Sequence, residues 1–186
     1  GCHEAKGYGG SVHARPQENG KGNAAAGCKQ CHGTHDVLSP EDPRSVNHRL
    51  RADVGCGRCH AAVAAQYRDS AHGLALGREG TKSPGCLECH GSHAILPLDS
   101  PDAALYKPKE PAFCLKCHLE DDTVRTEVGF PAAFMAGYLD SVHGEALLAG
   151  NLDAAGCSDC HGAHDARTAR DSASRVSRWN VADTCG

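Results

Sequence analysis

Cysteine and histidine are the residues in this chain that can do chemistry, and five times they fall in one arrangement. Two cysteines separated by two residues are followed at once by a histidine: Cys28, Cys31 and His32; Cys56, Cys59 and His60; Cys86, Cys89 and His90; Cys114, Cys117 and His118; Cys157, Cys160 and His161. The cysteine pair can add across the two vinyl groups of one haem, and the histidine that follows sits beneath the iron as its proximal axial ligand. Cysteine pairs at this spacing are also the half-sites of structural zinc, which takes four thiolate or imidazole ligands. Zinc gives no reason for a histidine directly after every second cysteine, whereas thioether-linked haem needs one each time. Disulfides would need cysteines outside these strings, and only Cys2 and Cys185 remain.

Three of the five strings continue with glycine and a second histidine, giving His35, His93 and His164. A Ser-x-His triplet stands 15, 14 and 14 residues before the first cysteine of each, contributing His13, His72 and His143. Six repeated histidines outside the proximal position would give each of six haems a second axial ligand. Iron held by two histidines is coordinatively saturated and moves electrons without binding substrate. A histidine three residues after a proximal ligand cannot reach the opposite face of the same iron, so His35, His93 and His164 must serve neighbouring haems. Of the thirteen histidines this leaves His3, which follows Cys2 in what looks like the tail of another motif, and His48, the one that ligates nothing. Met135 falls on an apolar stretch with Phe134 and is read as packing, not as an axial ligand.

The elements that position these groups form a repeat. From the second cysteine of each Cys-x-x-Cys-His-Gly-x-His string to the next motif cysteine is 25 residues each time: Cys31 to Cys56, Cys89 to Cys114, Cys160 to Cys185. The chain divides into a first dihaem module over 11–70, a second with a following insertion over 71–130, and a third over 131–186; residues 1–10 belong to a seam between repeats. Linkers rich in turn formers, such as Ser39-Pro40-Glu41-Asp42-Pro43 and Pro97-Leu98-Asp99-Ser100-Pro101, are expected to be irregular. The prolines of Lys107-Pro108-Lys109-Glu110-Pro111 postpone helix until about Ala112. Helix is expected between Gly57 and His72, and as one element from Pro131 to about Ala149, stopped at Gly150-Asn151. Glu120-Asp121-Asp122 reads as a solvated acidic loop, because no calcium-ligand series follows it. No strand pattern is convincing.

With aromatics at 4 %, 22 glycines and 9 prolines, the composition does not supply an ordinary core. At about 31 residues per haem, porphyrin surface must replace much of the missing apolar side-chain surface. The expected fold is mostly irregular coil with a few short α-helices wrapped around a stacked haem chain, without significant β-sheet. The formal charge of -4 becomes more negative by roughly two per haem through the propionates, which disfavours nucleic acid as a partner. No apolar run approaches a transmembrane length.

On these motifs the chain resembles the multihaem c-type cytochromes along essentially its whole length, and its tandem dihaem modules resemble outer-surface electron conduits and polymerising cytochrome filaments, the nanowires. The resemblance implies haem c as cofactor, a continuous stacked array, little regular secondary structure, and attachment outside the cytoplasm. It implies an electron carrier and not an enzyme, at the cell surface or extracellular, with a periplasmic location as the alternative; its partners are further copies of the repeat and redox partners or extracellular electron acceptors. Two rivals stand beside the filament. One is a discrete shuttle cytochrome. The other is a multihaem oxidoreductase, which would leave one iron short of a distal histidine.

The sequence opens Gly1-Cys2-His3 and closes Thr184-Cys185-Gly186. Read tail to head, Cys185-Gly186-Gly1-Cys2-His3 is a sixth complete motif, with first-cysteine steps of 58, 71 and 57 that together make the length of the chain. The expectation is a tandem-repeat filament with six haems per repeat, one of them across the Cys185/Cys2 seam with His3 as its proximal ligand.

Overall fold

The computed structural model describes residues 5–15 and 25–186. Among these, eleven short α-helices follow one another: α1 (Cys28–His32), α2 (Ala52–Gly57), α3 (Ala61–Arg68), α4 (Ala71–Ala75), α5 (Cys86–His90), α6 (Glu110–His118), α7 (Asp122–Val128), α8 (Ala132–Ala136), α9 (Val142–Leu148), α10 (Cys157–His161) and α11 (Val181–Cys185). The longest has nine residues. Helix, counting the 3₁₀ turns, accounts for 42 % of the described residues, which contain no strand. The absence of sheet agrees with the sequence; the helices are as short as expected but more numerous than a few.

The motif itself explains the shortest helices. Residues at i, i+3 and i+4 share one face of a helical turn, so one turn is enough to place two cysteines and the following histidine side by side. In α1, α5 and α10 that turn ends at a glycine, Gly33, Gly91 and Gly162, with φ of 77°, 75° and 79°. Only glycine enters this left-handed region without a Cβ penalty. Carboxylates start two of these turns: Glu88 Oε2 accepts from Gly85 N at 2.8 Å and Asp159 Oδ2 from Gly156 N at 2.7 Å.

Three local expectations are corrected. The single helix from Pro131 to Ala149 is two, α8 and α9, because Ser141 Oγ accepts from Gly144 N at 3.1 Å and restarts the helix there. Helix does not wait for Ala112: a 3₁₀ turn at Lys107–Lys109 runs into α6 at Glu110, since Pro111 occupies the first turn, where no N–H is needed. Glu120-Asp121-Asp122 is not simply a loop. Asp121 caps α7 through Thr123 N at 2.9 Å and Val124 N at 3.2 Å, and pairs with Lys82 at 2.7 Å. The proline-rich linkers are chains of turns, and α3 and α4 lie where helix was expected between Gly57 and His72.

The polypeptide core is thin. Its buried apolar residues among those described are Ala52, Ala64, Tyr67, Ala103, Pro111, Leu115 and Leu147, three of them alanine. The chain exposes 12459 Å², where a close-packed protein of 19.4 kDa would expose roughly 8,500 Å². Large apolar side chains stand in the open, Phe134 at 68 % and Val142 at 77 % among them. A surface of this kind asks for apolar partners that are not side chains of the same copy.

Candidate functional site

Four pairs of imidazoles face one another along the chain. His13 and His60 have ring centres 6.0 Å apart, His32 and His93 5.9 Å, His72 and His118 6.0 Å, and His90 and His164 5.8 Å. Every pair joins one motif histidine to one histidine of the repeated outer set. The spacing is too wide for a direct N–H···N hydrogen bond, which would draw the centres to about 5 Å. Two imidazoles that each hold one metal atom at about 2.0–2.1 Å have ring centres roughly 6 Å apart.

Sequence distance and spatial partner separate cleanly here. His93 stands opposite His32 of the preceding module and His164 opposite His90, so the second histidine of the second and third Cys-x-x-Cys-His-Gly-x-His strings faces back by one module. The Ser-x-His histidines face forward within their own module, His13 to His60 and His72 to His118.

The Ser-x-His triplet is held by its serine and by a tyrosine. Ser70 and Ser141 cap α4 and α9, taking Gly73 N and Gly144 N at 3.0 and 3.1 Å. They also donate to Tyr67 O and Tyr138 O, each at 2.7 Å. A Cβ on Gly73 or Gly144 would collide with those same tyrosine carbonyls, so the glycine after the histidine is needed for the close approach. Tyr8, Tyr67 and Tyr138 each stand five residues before the Ser-x-His histidine. Their hydroxyls donate to carbonyls two residues before the next motif: Ala26 O, Pro84 O at 2.8 Å and Ala155 O at 2.8 Å. Sequence reasoning missed these tyrosines, although their constant offset was there to be seen. Tyr67→Phe removes one half-buried hydrogen bond and is expected to cost about 1 kcal/mol, read as a lower denaturation midpoint. The ultraviolet–visible spectrum should not change.

Burial lowers the pKa of His72, His90 and His118, and a neighbouring imidazole adds to it: His118 for His72, His164 and then His60 for His90, and His161 for His118. Such imidazoles stay neutral and keep a lone pair for a metal. His118 Nδ1 is buried with no hydrogen-bond partner among the protein atoms described. Among the described residues no group of three or more His, Cys, Asp or Glu side chains gathers around one point, as a zinc site would require. Two facing imidazoles alone suit a metal that already carries four in-plane donors, which is what a porphyrin iron brings.

The cysteines follow in spatial order as in sequence. Cys56 and Cys86 share a hydrogen bond that brings Cys56 down to about 7 and raises Cys86; Cys114 and Cys157 share another, which raises Cys114 and lowers Cys157. Burial raises Cys31, whose nearest charged neighbours include Cys56 and Cys59, and pushes Cys89 up to about 11, beside Cys114 and Cys117. Cys160 lies near Cys185. Each motif therefore has a cysteine near one of the following motif.

Other candidate residues are not gathered into pairs. Among the described residues no imidazole stands opposite His35, His143 or His161. Cys2 and His3 lie outside the described residues. His48 Nδ1 accepts from Leu50 N at 3.3 Å within its own turn. If the motifs hold haem as the sequence leads one to expect, His48→Ala should leave the haem count and a low-spin spectrum intact; conversion of one haem to high spin would show the assignment of His48 to be wrong. Met135 lies half-buried in α8, while Phe134 beside it stacks on Phe130 with centres 5.5 Å apart. No family model, curated protein or solved structure matches this chain.

Proposed function

We propose that this chain is a multihaem c-type electron carrier that moves electrons over long distances, assembled as an extracellular or cell-surface filament. The observation that carries the reading is the set of four imidazole pairs, 5.8–6.0 Å between centres, each joining a Cys-x-x-Cys-His histidine to a repeated outer histidine. Haem c would be held at Cys28 and Cys31, Cys56 and Cys59, Cys86 and Cys89, Cys114 and Cys117, and Cys157 and Cys160. Cys185, which follows Cys160 by the same 25-residue step, would contribute to a sixth.

Haem iron with two imidazole ligands supplies one-electron ferric–ferrous exchange with both axial positions taken. The chain's own contribution is placement. The one-turn helices present two thiols and a proximal imidazole on a common face. His93 and His164 reach back from one module to the last, so neighbouring sites are locked at fixed spacing. The tyrosine and serine contacts hold the Ser-x-His imidazoles from the other side. No described helix is long and apolar enough to cross a membrane.

Mass spectrometry of the purified protein tests the cofactor, since each attached haem adds a fixed increment and five or six are expected. Protein voltammetry tests the function: one-electron waves equal in number to the haems, without catalytic current on nitrite or hydroxylamine. A chain carrying zinc and no porphyrin would overturn the proposal.

A further inference from the structure

Three contacts join each module to the next, and each recurs at the same place in the sequence. The first is the imidazole pair, His32 to His93 and His90 to His164. The second is a backbone bond from the central residue of Ser-x-His to the carbonyl two residues past the outer histidine: Val12 N donates to Ile95 O at 2.8 Å, and Ala71 N to Ala166 O at 2.7 Å. The third is a cation seven residues before the second motif reaching the third residue of the next module's one-turn helix. Arg49 Nε meets Glu88 Oε1 at 3.2 Å, and Lys107 Nζ meets Asp159 Oδ2 at 2.9 Å.

Module three carries the donor half of all three contacts with nothing to receive it. His161 corresponds to His32 and His90, Val142 to Val12 and Ala71, and Arg178 to Arg49 and Lys107. Among the described residues His161 faces no imidazole, Val142 N and Val37 O have no backbone partner, and Arg178 makes no ion pair but lies 4.3 Å above the Trp179 ring. Module one carries the three acceptor positions, equally open: His35, Val37 O and Gln30, which match His93, Ile95 O and Glu88. Burial tells the same story. Val12, Ala71, Ile95 and Ala166 are half-buried, whereas Val142 is 77 % and Val37 56 % exposed.

We infer that module three docks on module one of a second copy of this sequence by the same three contacts: His35 of the second copy opposite His161, Val142 N donating to Val37 O, and Arg178 on the Gln30 side-chain oxygen. The occupant is fixed by the register, because only a segment with His, a free carbonyl and a hydrogen-bond acceptor at these offsets satisfies all three. The heterologous contact uses different faces on its two sides, so each copy leaves one face open for the next and copies add end to end. The imidazole contact rests on the haem reading above; the backbone contact does not.

Val142→Pro isolates the interface. Val142 is the first residue of α9, where proline is tolerated, and Ser141 at φ -83° and ψ 158° already has the extended conformation that precedes proline. The variant loses the N–H and keeps the helix. Sedimentation of the haem-loaded protein should show end-to-end association weakened about fivefold, the worth of one hydrogen bond, with haem content unchanged. His35→Ala should weaken association further and leave one haem per chain open to carbon monoxide even in the assembled state. In the parent protein that same haem should bind carbon monoxide on dilution and be protected on assembly. Association of Val142→Pro and His35→Ala equal to that of the parent, or carbon monoxide binding independent of concentration, overturns the inference. Absence of attached haem would instead defeat the proposed function, and sedimentation of Val142→Pro would still judge the interface.

Discussion

On the proposed haem reading, His164→Ala should convert one haem per chain, the one that Cys86 and Cys89 would hold, to a high-spin form that binds carbon monoxide when reduced, and should leave the others low-spin. His164 is the only described imidazole opposite His90, with ring centres 5.8 Å apart, and alanine cannot fill an axial position. The expected titre is one carbon monoxide per chain above that of the parent under the same conditions. His164 sits three residues after His161, so local reasoning would assign any damage to the haem at Cys157 and Cys160. The two outcomes separate on the residue paired with the altered iron. Loss of the Cys157 haem with the Cys86 haem untouched would show that His164 serves its own motif. An unchanged spectrum would show that it ligates nothing.

The chain produced without attached haem should not keep its fold. Its helices have at most nine residues, below the length at which isolated helices persist in water, about 12–15 residues. They must therefore be held by packing, and packing within the polypeptide is scarce: of the buried apolar side chains described, only Tyr67, Leu115 and Leu147 are large. Circular dichroism of the haem-free chain should show most of the helix signal gone at 25 °C and no cooperative melting transition. The haem-loaded chain should melt cooperatively with the helix content intact. A haem-free chain with native helix content and a sharp transition would show that the polypeptide core suffices alone.

The modules, their Ser-x-His and Cys-x-x-Cys-His-Gly-x-His signatures, and the shortness of the helices were legible in the sequence because each is a local pattern. The facing of His93 to His32 was legible only as a prohibition: three residues are too few to round a porphyrin. Its partner depended on how one module leans on the last, which is tertiary. The continuous helix from Pro131 to Ala149 was misread because alanine-rich periodicity outweighed a serine that caps and a glycine, Gly144, that must approach the Tyr138 carbonyl. Asp121 was misread for a related reason, since an acidic run looks solvated whether or not its first carboxylate closes a helix end. The tyrosines at a fixed offset from His13, His72 and His143 were missed because they carry no metal chemistry.

The paired rings differ in one respect that chemistry will register. His32 with His93 and His90 with His164 lie near parallel, at 29° and 22° between planes, while His13 with His60 and His72 with His118 are turned by 58° and 51°. The two kinds alternate along the chain. Ring orientation decides which iron d orbital each imidazole π system meets, so near-parallel rings lift the degeneracy of that pair and turned rings restore part of it. On the proposed reading, the ferric protein holds two magnetic populations in strict alternation, and its low-temperature electron paramagnetic resonance spectrum should resolve a rhombic set and a more axial, strongly anisotropic set in equal numbers for these four sites. An electron crossing the chain would then meet not a row of identical stations but a two-beat sequence, with the rhythm written by which histidine faces forward and which faces back.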